Sequence, residues 1–190
     1  MAAGILPISL YKNRIYFLFG KENKYADTPG WSDFVGGIDK GETAYTTAVR
    51  EAQEEITGFL GGDKEIKELI GKKPYIIKHN TYQVYVCPLE YNEFLPFYFN
   101  NNQRFLQKKL DPKLIEKSKI FEKDEIRWVS IDSLEKMKPE FRPFYKEIVD
   151  ILISKKSDFL TLLRKWRKHT RTKTKQNKTK NNKGTRKIRN

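Results

Sequence analysis

The stretch GGIDKGETAYTTAVREAQEEITG, Gly36 to Gly58, decides how this chain is read. Gly36-Gly37 closes a short apolar run and opens a loop that reaches Glu42. Thr43 is a capping residue type, and Ala44, Ala48, Ala52 and Ile56 recur at helical spacing. That predicts a helix to about Thr57, stopped by Gly58. Glu51, Glu54 and Glu55 then stand at i, i+3 and i+4, so three carboxylates share one helix face. Like charges at this spacing destabilise a helix by about 0.2–0.5 kcal/mol per pair, and these sit in the last turns, where the dipole disfavours anions. Arg50 compensates in part through Glu54. A bound cation would turn the repulsion into a site, and clustered oxygens select hard ions such as Mg²⁺ or Mn²⁺. A glutamate stripe alone is more often a solvated face, so the surroundings must decide.

Upstream, Gly4 to Leu10 and Arg14 to Phe19 read as strands joined through Tyr11-Lys12-Asn13. A polar stretch, Lys21 to Gly30, leads to a short strand from Trp31 to Val35. Downstream, GGDKE (Gly61 to Glu65) reads as a loop. Tyr75 to Lys78 and Tyr82 to Leu89 read as strands around His79-Asn80-Thr81. One or two helices are expected between Gln103 and Ser118, a strand over Glu125 to Ser130, and a helix over Arg142 to Ile153. Strands and helices in this order, without regular βαβ repetition, predict an α+β layered domain.

With 190 residues, 38% apolar and 13% aromatic, the chain can bury a core and is not a wholly disordered protein. Its one cysteine, Cys87, excludes a disulfide scaffold and reads as a buried small hydrophobe. No apolar run approaches the ~18 residues of a membrane span, and the first residues read as a strand rather than a signal peptide, so an intracellular protein, cytoplasmic or nuclear, is expected. The net charge of +14 is localised: from Leu163 onward there are 13 Lys/Arg and no acid, which leaves 25 bases against 24 acids before it. A nearly neutral body therefore carries a polycationic tail.

Gly36, five residues, Glu42, seven residues, Arg50-Glu51, two residues and Glu54-Glu55 together resemble the signature box of the Nudix hydrolases. Six identities at fixed spacing arise by chance in about one of 10⁵ such chains. The one departure is Thr57, where the family usually has glycine. The flanks are similar as well: AGILPISL and RIYFLFG resemble the opening strands, WSDFVGG the lead-in and EKDEIRWVSIDSL the closing strand. The resemblance implies an α/β/α sandwich with a mixed central sheet, and a hydrolase that cleaves between phosphates with Mg²⁺ or Mn²⁺. It implies Glu51, Glu54 and Glu55 as metal ligands with the Gly36 or Gly37 carbonyl helping. Arg50 would orient Glu51, and Glu42 would tie loop to helix or join the outer metal shell, and it is also a candidate substrate contact. Glu122 or Glu125 would assist before Trp128, and alternation along the strand favours Glu122. Trp31 and Tyr98 are candidate substrate contacts. The lead-in and basic tail are also similar in style to Nudix proteins of large DNA viruses.

The chain thus divides into a hydrolase domain (1–154), a basic amphipathic helix (155–168) and a basic tail (169–190) expected to be disordered when unbound. In the helix Phe159, Leu162, Leu163 and Trp166 form the apolar stripe. Arg164, Lys165, Arg167, Lys168 and Arg171 are candidate nucleic-acid contacts, alongside simple solubilisation or an anionic membrane. The expected partner is a nucleotide or another diphosphate-containing molecule. A nucleotide or a capped RNA end is favoured, the latter gaining from the basic tail, with dinucleoside polyphosphates and inositol pyrophosphates open. The reading from another class is a nucleic-acid-binding module without turnover. His79 reads as a surface turn residue.

Overall fold

In the computed structural model, which describes residues 1–117 and 121–185, Ala2–Tyr11 (β1) and Arg14–Glu22 (β2) form an antiparallel hairpin. Its two turn residues, Lys12 and Asn13, have φ of +45° and +61°, the left-handed geometry that matches strand twist in a two-residue turn. β2 pairs with β1 only from Ile8 to Tyr11. Over Ala2 to Ile5 its place is taken by Phe34–Gly37 (β4), which follows the two-residue strand Trp31–Ser32 (β3). The parallel strand Tyr82–Pro88 (β6) pairs along the other edge of β1 and carries Tyr75–His79 (β5), while Lys123–Ser130 (β7) runs antiparallel to β2. The result is a mixed seven-stranded sheet.

Both faces of the sheet are covered, as alternation along β1 requires. Leu6, Ile8 and Leu10 pack with Tyr145–Ser154 (α6) and with Phe159 and Leu163 of Lys156–Thr185 (α7). Ile5 faces the opposite way, to Ala44–Ile56 (α1) and Asp63–Ile70 (α2). This is the expected α/β/α sandwich. The single Trp31–Val35 strand is interrupted at Asp33, whose buried carboxyl accepts the Tyr82 hydroxyl.

Several elements differ from expectation. Gly61 to Glu65 is not a loop: Gly61 (φ +93°) turns the chain, the Glu65 carboxylate accepts the Gly62 N–H at 3.0 Å, and Ile66 and Ile70 anchor α2 in the core. The helix Phe94–Lys109 (α3) begins nine residues before Gln103, because Phe99 and Gln103 are buried one turn apart and the Asn100 amide bonds both backbone groups of Ile126 in β7. It is followed by Pro112–Lys117 (α4); Ser118 lies outside the described residues. Leu134–Met137 (α5) is a short helix that composition did not indicate, and α6 starts at Tyr145 rather than Arg142. α7 continues past Lys168 to Thr185, in keeping with the good helix propensity of Lys, Arg and Gln. Among the described residues no helix is long and apolar enough to cross a membrane.

Candidate metal centre

Thr43 and Thr46 cap the start of α1 reciprocally, and Ala48 and Ala52 bring the helix close against β1. Glu51 and Glu55, one turn apart, therefore point inward and are buried, whereas Glu54 faces outward toward Arg50. The backbone of β4 lies against Glu51: a Cβ at Gly36 would come 2.1 Å from Glu51 Oε1, so a larger residue there would push the Glu51 carboxylate out of this position. The third inward carboxylate is Glu122. Atoms of Glu51, Glu55 and Glu122 lie within 4.8 Å of one another. Glu125 stands apart and pairs with Arg127 at 2.8 Å.

Glu122 is in place for a reason other than alternation. It precedes β7, and the segment is held where Asn23 donates its backbone N–H to Glu122 O at 2.8 Å and its side chain to Phe121 O at 2.7 Å. Opposite Lys21 stands Glu125, and opposite Glu22 stands Lys123, so Asp124 is the extra residue of a β-bulge. The bulge turns Lys123 toward α1.

Lys123 is the main residue that sequence reasoning missed. Its ammonium is enclosed, contacts Glu22, and lies 3.1 Å from both Glu55 Oε1 and Ser32 Oγ. Burial alone would lower its pKa, but Glu55 and Glu22 outweigh burial and hold it above the ordinary lysine value. Glu22, also missed, accepts from Arg142 at 2.9 Å. The signal for Glu22 was available: it has the same parity as Leu18, which faces α1, in a strand that continues three residues beyond Phe19. Nothing in the pattern announced the bulge.

Arg50 organises the outer side. It reaches Glu42 Oε1 (2.9 Å) and Oε2 (3.0 Å), the Gly37 carbonyl (3.0 Å), Glu51 (2.6 Å) and Glu54 (3.1 Å). Together with the Thr47 hydroxyl, this guanidinium holds the Glu42 carboxyl down at about 2. Glu42 is thus a tie between loop and helix. Its carboxylate is taken up by Arg50 and Thr47, which corrects the expectation of a substrate contact. Burial raises the pKa of Glu51, and raises Glu55 well above the ordinary range. Among the described residues, Glu55 Oε2 is buried with no hydrogen-bond partner. An orphaned carboxylate oxygen among hard oxygen donors fits a divalent cation, and the cluster could hold one.

Two cavities meet at this place. A polar one of about 290 Å³ is bordered by Glu22, Asn23, Tyr25, Glu55, Glu122 and Arg142. A larger, more apolar one of about 540 Å³ lies between α6 and the β5–β6 turn, bordered by Gly37, His79, Tyr82, Phe144 and Glu147. They share Val35 and Arg142. Phe144 is half-exposed, with the Arg142 guanidinium 5.1 Å from its ring centre. His79 therefore lines a cavity, where it pairs with Glu147 at 2.7 Å.

The remaining candidates fall elsewhere. Trp31 is 2% exposed, packed in the core beneath the Arg127 guanidinium at 4.6 Å, so its ring offers no face to a substrate. Tyr98 lies on the outward face of α3 and borders neither cavity. Cys87 is buried. Arg164, Lys165 and Lys168 project from α7 into solvent, while Arg167 is half-buried and donates to Leu10 O. The Arg171 side chain lies outside the described ones.

A family model described as NUDIX domain matches residues 1–150. No curated protein matches the chain. An Ap4A hydrolase of C. elegans, in a binary complex, superposes with a TM-score of 0.51 at 18% identity, over 85% of this chain and 98% of that one. RenU, a Nudix hydrolase from M. smegmatis, gives a TM-score of 0.48 at 15% identity, over 80% of this chain and 82% of that one. At these identities the likeness is one of fold.

Proposed function

The chain belongs to the Nudix family, and from that premise we propose that it hydrolyses a diphosphate linkage in a nucleoside diphosphate derivative. Glu51, Glu55 and Glu122 would hold Mg²⁺ or Mn²⁺, helped by the Gly36 carbonyl, with Glu54 available on the outer side. The observation that carries this reading is the convergence of three carboxylates, two of which, Glu55 and Glu122, line a polar cavity, and one of which, Glu55, has a buried oxygen without a hydrogen-bond partner among the described residues. A divalent ion there would neutralise the diphosphate and acidify water for attack on phosphorus.

The chain's own residues supply the positioning. Lys123 and Arg50 fix the inward carboxylates from opposite sides, so that little reorganisation is needed when charge develops. Arg142, held by Glu22 and Thr28 at the junction of the two cavities, would meet a phosphate while the nucleoside enters the larger cavity. There the exposed ring of Phe144 offers a stacking face and Glu147 an acceptor for N–H groups of a base.

Among substrates a capped RNA end is favoured, because the cations of α7 and the tail raise the local concentration of a polyanion. Dinucleoside polyphosphates, the class named for the C. elegans neighbour, share the same chemistry. The test is phosphate-product release with Mg²⁺ across nucleoside diphosphate derivatives, dinucleoside polyphosphates and capped RNA, comparing the protein with Glu55→Gln and Glu122→Gln. Loss of product in both variants is expected. Identical traces from all three proteins would make the chain a binding module without turnover.

A further inference from the structure

The outward face of α3 is unusual for a helix of a nearly neutral body. Its exposed positions, at intervals of three and four, are Phe94, Phe97, Tyr98, Asn101, Arg104, Phe105, Lys108 and Lys109. The four aromatic side chains are between 56% and 60% exposed. Core packing does not account for them, since Phe99 and Gln103 anchor the helix from its other side. Within the helix every charge on this face is positive, and the one acid beside it is Glu93 at the N-cap. Rings interleaved with cations are the composition of a stacking platform for unpaired bases, where each ring takes a π-face and each cation a phosphate.

The face also leads somewhere. At its basic end Arg104, Gln107 and Lys108 border a cavity of about 290 Å³ whose other wall includes Asn23, Lys24 and Tyr25, with Asp124 as its one acid, held by the Gln107 amide. Asn23 and Tyr25 in turn line the cavity that holds Glu55 and Glu122. The aromatic row from Phe94 to Phe105 extends about 16 Å along the helix axis before reaching that opening.

We propose that the outward face of α3 binds single-stranded RNA, with bases on Phe94, Phe97, Tyr98 and Phe105 and phosphates on Arg104, Lys108 and Lys109. The strand's 5′ end then runs past Tyr25 toward the carboxylate cluster. For that direction alone the proposal rests on the hydrolase reading given above. A protein partner of matching shape would need carboxylates for the three cations. A polynucleotide brings its phosphates and its bases together.

The probe is a twelve-nucleotide RNA containing 2-aminopurine, titrated with the full chain in EDTA at 150 mM salt. Stacking of the analogue on an aromatic ring quenches its fluorescence. Binding with quenching is expected for the wild type. Phe97→Ala/Phe105→Ala should weaken affinity about tenfold or more and abolish the quenching. Phe97→Tyr/Phe105→Tyr, which keeps both rings and the fold, should retain both. Lys108→Glu/Lys109→Glu should weaken binding and flatten its salt dependence. Affinity within twofold of wild type for both the alanine and the glutamate pairs would overturn the proposal. So would a wild-type dimer in sedimentation that the alanine pair dissociates with RNA affinity unchanged, since the face would then be an interface between copies. Binding is read without metal, so failure to hydrolyse any substrate bears on the hydrolase reading and leaves this result standing.

Discussion

The ammonium of Lys123 lies 3.1 Å from a carboxylate oxygen of Glu55, with both side chains enclosed. One end of a sheet strand is thereby fastened to the last turn of α1, and Glu22 fastens β2 to the same nitrogen. The lysine is a fixed positive charge among acids that would otherwise repel. Its value is in the arrangement, because a buried pair gains little net energy over apolar packing yet is costly to break from one side.

Replacing Lys123 by Met should therefore destabilise the protein by about 3–5 kcal/mol, since Glu22 and Glu55 lose their shared partner while remaining buried. Urea denaturation at neutral pH measures this directly. A loss below about 1 kcal/mol would contradict the fastening role of the Lys123–Glu55 pair.

Divalent metal should stabilise the fold by mass action, by about 2.7 kcal/mol at a hundred times the dissociation constant. Thermal melts with Mn²⁺ and with EDTA should separate accordingly. Glu55→Gln and Glu122→Gln should remove the separation, whereas Glu54→Gln should keep part of it, because Glu54 is turned toward Arg50.

Asp33 provides a pH dependence. Burial raises its pKa to about 7 from the ordinary 3.8, against the opposing hydrogen bond from Tyr82. Between those values the unfolded chain has released the proton and the folded one retains it, so stability falls as pH rises and levels off above about 7. The full loss is on the order of 4 kcal/mol. Asp33→Asn should abolish this slope, so that the variant gains on the wild type between pH 5 and pH 8 in denaturant titrations. Parallel slopes for the two proteins would refute the assignment.

Thr57 ends α1 at φ +48°, a left-handed conformation that a β-branched residue adopts at a cost, and its hydroxyl is buried without a partner. Thr57→Gly should raise stability by about 1 kcal/mol, read as an increase in melting temperature with the metal-dependent shift unchanged.

The helix that carries the acids was legible because its cap, its alanines and its glutamates all repeat at one period, and Thr43, Ala48, Ala52 and Ile56 occupy the expected places. The strand from Gly4 to Leu10 was legible as well, though not that both of its faces are covered. What was not legible came from departures from period. The bulge at Asp124 reverses the direction of Lys123 relative to the strand that follows, and no local pattern encodes a bulge. The aromatic run from Phe94 looks apolar in sequence, yet most of its rings face water on a helix fixed by Phe99 and Asn100. Trp31 and Glu42 had the right chemistry for substrate contact but are consumed by the core and by Arg50.

Phe159 and Leu163 bear on where the chain can be cut. The Phe159 ring meets Phe17 and Tyr75 edge-on, at 5.5 and 5.6 Å, and Arg167 closes the following turn on the Leu10 carbonyl. A protease that trims the cationic extension back to Lys168 would leave the domain whole. One that clips before Phe159 would unroof the hydrophobic layer beneath β1, so the domain's true edge lies inside the basic helix rather than ahead of it.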